Sequence, residues 1–211
     1  MADTVPPEFL RFVAAERRAE RMPAPPKPLA AGRVAEPILI DPRQAVELLR
    51  VAARRAAGLY RPTKRTEVVW VEGESELAVS LVDIQMKTAT GLLQLRIPVR
   101  CDQIGKGVVD VFLAVGAPDQ PAGVYAATFR RPNGPPLVVA TWGDALVAFA
   151  WQCVLGLVAG VAGAVGKDER GNVLVPVELV ASQRGLHVVP MARHRFAGST
   201  GLRTATTREV R

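Results

Sequence analysis

The chain has 211 residues and a formal net charge of +7 from 27 basic and 20 acidic side chains. That length closes a full core without disulfide staples. Cys101 and Cys153 therefore read as two free buried thiols of a reducing compartment rather than as one bridge. Only five of the basic residues are lysine, an arginine bias that suggests a GC-rich bacterial or phage coding sequence.

The charge is unevenly placed. Residues 1–66 hold 13 basic and 7 acidic side chains, residues 67–190 hold 9 and 12, and residues 191–211 hold 5 and 1. The positive charge is thus carried by the two ends, where it bears on solubility and partners rather than on fold.

Residues 1–22 are charged throughout and show no apolar core of a secretory signal. Residues 7–21 predict a short amphipathic helix whose apolar patch is Phe9, Leu10, Phe12 and Val13. Pro23, Pro25, Pro26 and Pro28 then make residues 22–28 a semi-stiff spacer that holds this helix away from the body. After the apolar run Ile38-Leu39-Ile40, Asp41 and Pro42 open a helix expected over residues 42–58, which Gly58 ends. Its buried face is Ala45, Val46, Leu49, Ala52, Ala53 and Ala56. Arg50, Arg54, Arg55, Arg61, Lys64 and Arg65 form a candidate phosphate-facing ridge, with Arg193 and Arg195 in a flexible C-terminal arm.

From residue 67 to 139 the pattern is that of strands. Residues 68–71 are β-formers, and residues 77–87 alternate as one strand. Leu93, Leu95, Ile97 and Val99 alternate with Gln94, Arg96, Pro98 and Arg100, giving one buried face and, at Pro98, a sheet edge or a bulge. Residues 108–115, 124–129 and 137–141 are three more expected strands, with a strong turn at residues 132–136 between the last two. Residues 173–181 and 186–191 form a hairpin.

Between the strands, residues 145–166 run 22 positions without a charge. That is long enough to cross a bilayer as a helix. Val147, Trp151, Val154, Val158, Val161 and Val165 form one helical stripe, and Gly156, Gly160 and Gly163 form a small-residue face that admits another backbone. Strands on both sides argue for a core helix, because a span would strand the C-terminal hairpin alone, and an isolated hairpin is marginal in water. The fold expected is α+β: an antiparallel or mixed sheet of about six to eight strands on a long apolar helix over residues 144–166 and a second helix over 42–58. A single domain over 37–191 is flanked by arms at 1–36 and 192–211.

The sequence offers no catalytic residues, cofactor site or metal set. His187 and His194 lack ligand spacing to either cysteine, Lys167 is followed by Asp168 and so completes no phosphate loop, and Asp83, Asp102, Asp110 and Asp119 are scattered over strands and turns. The leading expectation is a non-enzymatic structural or scaffolding subunit of a multimeric assembly (a virion-, tail- or secretion-type machine) in the cytoplasm or a virion. Its partners would be copies of itself or other subunits, and its interface would use Phe9, Leu10, Phe12, Val13, Gly156, Gly160 and Gly163. The alternatives are a non-specific nucleic-acid-binding accessory protein using the basic ends, and a membrane-anchored protein spanning at residues 145–166.

Overall fold

The computed structural model describes residues 3–4, 37–59, 64–119, 127–165, 171 and 174–192. The expected helix at 7–21, the proline spacer and the tail beyond 192 lie outside these residues. In chain order the elements are β1 (Asp3–Thr4), β2 (Ile38–Ile40), α1 (Gln44–Ala56), β3 (Glu67–Glu72), β4 (Ser75–Ser80), β5 (Gln85–Ala89), β6 (Leu92–Cys101), β7 (Gly105–Ala114), β8 (Ala127–Asn133), α2 (Pro136–Val165), β9 (Leu174–Ser182) and β10 (Gly185–Ala192). The fold is α+β.

Helix α1 spans residues 44–56 rather than the expected 42–58, but Asp41 and Gly58 bracket it as expected. The Asp41 carboxylate accepts the N–H groups of Arg43 and Gln44 at 2.7 and 3.0 Å, satisfying donors that the first turn leaves free. At the other end Gly58 adopts φ +76. Leu59 N–H donates to Arg54 O and Gly58 N–H to Arg55 O, the paired bonds of a Schellman stop.

The larger sheet runs β1-β3-β4-β6-β7-β8, with β5 also paired to β6. All of its pairings are antiparallel except that of β1, which lies parallel to Trp70 and Val71 on the outer edge of β3. Strand β6 is ten residues long and changes partner along one side: residues 92–96 pair with β5, and Val99 and Arg100 pair with β4. Pro98 falls at the changeover, in neither register. A proline in a central strand is tolerated there because no ladder on that side requires its missing donor. The strand expected over 77–87 is accordingly broken into β4 and β5. Ser80 Oγ accepts the N–H of Asp83 at 3.2 Å and turns the chain between them.

The smaller sheet, β2-β10-β9, joins the first strand of the body to the last hairpin. The two sheets are tied at one corner. Gly116 N–H donates to Leu179 O at 3.2 Å, Ala181 N–H to Gly116 O at 2.9 Å, and Gly91 N–H to Ala181 O at 3.0 Å.

Helix α2 is 30 residues long and starts eight residues before the expected boundary at 144. Residues 137–141, expected as a strand, are its first turns. The reason is local: Pro136 occupies the first helical position, where a fixed φ and an absent donor cost nothing, and Val139 N–H closes on Pro135 O at 3.0 Å. Ala145 to Trp151 are seven successive buried residues, so the middle of the helix is enclosed all round. It packs on α1, on β7 and β8 of the larger sheet, and on β9 and β10 of the smaller. From β3, Trp70 sets its ring 5.6 Å from Phe149, edge to face, and 6.3 Å from Trp142. Helix α2 is the one described helix long and apolar enough to cross a membrane, and 67% of its apolar window is buried within the chain.

The glycine face receives α1. A Cβ placed on Gly156 would sit 3.1 Å from the Ala52 side chain, while one on Gly160 would meet nothing within 4 Å. The two positions therefore predict opposite outcomes. Gly156→Leu should destabilise the fold by about 1–3 kcal/mol by prising α1 away. Gly160→Ala should be neutral or stabilising by up to about 1 kcal/mol from helix propensity alone. Chemical denaturation reads both, and equal effects at the two positions would refute this packing.

Candidate functional site

Among the residues expected to form a phosphate ridge, Arg50, Arg54, Arg55, Lys64 and Arg65 are described; Arg61, Arg193 and Arg195 lie outside the described residues. Arg50 donates from Nε to the carbonyl of Val82 at 3.0 Å and pairs with Glu47 one turn back, so it clamps α1 to the β4–β5 turn. Arg54 is half-buried and Arg55 exposed, both in the last turn of α1, where the helix dipole favours a cation. Lys64 and Arg65 are exposed on the segment leading into β3.

The interface residues divide similarly. Phe9, Leu10, Phe12 and Val13 lie outside the described residues, as do the surroundings of Gly163. Gly156 is occupied by Ala52 of the same chain, and Gly160 faces open space. The large apolar side chains exposed among the described residues are Leu39, Val51, Val108 and Leu137, on four different elements.

Polar chemistry is dispersed. Ser182 Oγ lies 3.0 Å from His187 Nε2, a pairing that looks like a nucleophile and its base. The same oxygen accepts Arg184 N–H at 3.2 Å, which closes the β9–β10 turn and gives the serine a structural task. Asp110 faces Arg96 at 3.1 Å, Asp83 belongs to the Ser80 turn, and Asp102 and Asp119 are exposed. No three metal-binding side chains converge among the described residues. A cleft of about 230 Å³ opens where β4 gives way to β5, between Ser80, Asp83, Pro98 and Lys106, with the Arg100–Glu67 ion pair of 2.7 Å at its rim.

One grouping was missed in the sequence because its members are far apart in the chain. Direct cross-strand partners share a face of the sheet. The registers set Lys87, Gln94, Phe112 and Arg130 in one row, Gln85, Arg96 and Asp110 in the next, and Ala78, Arg100 and Lys106 in a third. Lys87, Arg96, Arg100, Lys106 and Arg130 thus all lie on the sheet face opposite α2; Arg96 is half-buried and the other four are exposed. The guanidinium of Arg130 stacks 3.7 Å over the ring of Phe112. The sequence signal was the alternation Gln94, Arg96, Pro98, Arg100, which marks a solvent-facing row without revealing its neighbours.

Both thiols are buried, Cys101 at the end of β6 and Cys153 at the centre of α2. Burial pushes the Cys153 thiol well above the ordinary cysteine range, because a thiolate there would be desolvated. A chain carrying Cys101→Ser should stay unreactive to a disulfide reagent at about pH 8 until denaturant is added. Native reaction as fast as that of the unfolded chain would mean that the helix core opens readily.

No family model, curated protein or solved structure matches the chain.

Proposed function

We propose that the chain is a non-enzymatic structural or scaffolding subunit of a multimeric assembly, of the virion, tail or secretion-machine kind, and that its two terminal extensions dock on neighbouring subunits in the cytoplasm or a virion. The observation that carries this reading is the antiparallel pairing of β2 with β10, in which Ile38 faces Val188 and Ile40 faces Leu186. In that arrangement the chain enters β2 and leaves β10 at the same end of the small sheet. Two charged extensions leaving the same end of one sheet can grip one neighbour together, and the second contact is then favoured by the first through effective concentration.

Two further features support it. Strand β1 contributes only two residues to the open edge of β3, and a short strand on a sheet edge is readily exchanged between copies. The core itself is closed by the chain, from Ile40 to Val188, so association would proceed through edges and extensions rather than through an exposed core. The burial of α2 argues against the membrane reading. Placing that helix in lipid would strip its cover from Trp70, Leu186 and the rest of the two inner sheet faces.

Light scattering in detergent-free buffer tests the proposal. The full chain should give a multiple of the monomer mass, and deletion of residues 1–36 should lower that mass while leaving the unfolding midpoint within a few degrees. A monomeric full chain, or an unchanged mass after the deletion, would refute arm-mediated assembly.

A further inference from the structure

We infer that the open face of the larger sheet is a binding platform for single-stranded nucleic acid, separate from the terminal extensions and independent of how those extensions are used. Five cations, four of them exposed and Arg96 half-buried, lie on this face, against Glu67, Glu76 and Asp110 on the same side of the registered strands. The face is therefore positive, whereas residues 67–190 as a whole carry more acidic than basic side chains. Folding has collected five of the nine cations of the middle segment on one surface.

The two ion pairs on the face do not remove it from use. Arg100 remains 49% exposed and its partner Glu67 45% exposed, so a phosphate can replace the carboxylate at little cost. Arg96 is 40% exposed but its partner Asp110 only 19%, so that pair stays closed and Arg96 offers a phosphate only its outer edge. Lys106 lies directly opposite Arg100. Along β6, Arg96 and Arg100 are four residues apart, about 13 Å at the rise of an extended strand. A flexible polyanion can follow such a line of cations.

The central feature is the Phe112–Arg130 stack. An aromatic ring beneath a guanidinium plane leaves the outer face of the guanidinium as a flat platform, and a base released from pairing stacks on such a plane. The apolar neighbours Val108, which is 38% exposed, and Pro98 provide flat surface between the charged rows. An acidic protein segment would satisfy the cations but has no use for the stack, which is why the nucleic acid is favoured. Contacts of this type read backbone and base faces, so recognition would be sequence-tolerant and sensitive to salt.

Fluorescence anisotropy of the full chain with a labelled oligothymidylate, titrated over a range of salt, tests the inference. Arg130→Ala should weaken binding by about fivefold or more through loss of the stack. Lys106→Glu, at an exposed position, should weaken it and reduce the log–log salt slope by about 0.7 per lost phosphate contact. Unchanged affinity in Lys106→Glu would overturn the inference, as would a loss caused by Arg193→Ala and Arg195→Ala while the sheet variants bind normally. Polyglutamate of matched charge binding as tightly as the oligonucleotide would reassign the face to an acidic protein partner and overturn it equally.

Discussion

Everything in this fold follows from the need to surround a helix that has no polar side. From Ala145 to Trp151 every residue of α2 is buried, so no orientation against a single sheet would suffice. Two sheets and a second helix supply the cover. Their inner faces are in turn covered by α2, and the hydrophobic gain on each side depends on the other being in place. Trp70 shows the dependence most directly. It is fully buried in β3 and reaches both Trp142 and Phe149, seven positions apart on α2, so it registers the larger sheet along the helix axis.

The second helix fits because of one absent side chain. Ala52 approaches Gly156 closely enough that even a methyl group there would be crowded. Arg50 then fixes the rotation of α1 by reaching Val82 on the turn between β4 and β5. The same turn is where β6 exchanges one partner for another and where Pro98 sits. Helix docking, the break in the strand and the tolerated proline are therefore parts of one local arrangement rather than three separate irregularities.

How much of this the sequence declares depends on the range of the interaction. Asp41 and Gly58 announced α1 because caps act within a few residues, and the alternation from Leu93 to Val99 announced β6 because a one-sided strand has period two. The start of α2 was misplaced because Leu137 to Thr141 is a β-branched apolar run, and the proline pair before it reads as a turn as easily as a helix opening. The break after Ser80 was hidden because Leu81, Ile84 and Met86 remain buried across it. The partnership of β2 with β10 and the row from Lys87 to Arg130 are invisible for a different reason: they join residues far apart in the chain and are settled only when the whole core forms. The expected interface and ridge residues met the same limit, since Gly156 found its neighbour within the chain and Arg50 was already engaged.

The pairing of the first and last strands of the body also sets an order of events during synthesis. Ile38 waits for Val188, and α2 is complete before β9 and β10, which cover one side of it, have been made. Contacts closed over so long a stretch of chain form late. For that interval an all-apolar helix stands partly uncovered, in a state prone to aggregation. The vulnerable interval begins when α2 has emerged from the ribosome and ends when β9 and β10 have followed it out of the exit tunnel, so slow synthesis in that interval prolongs the aggregation-prone state.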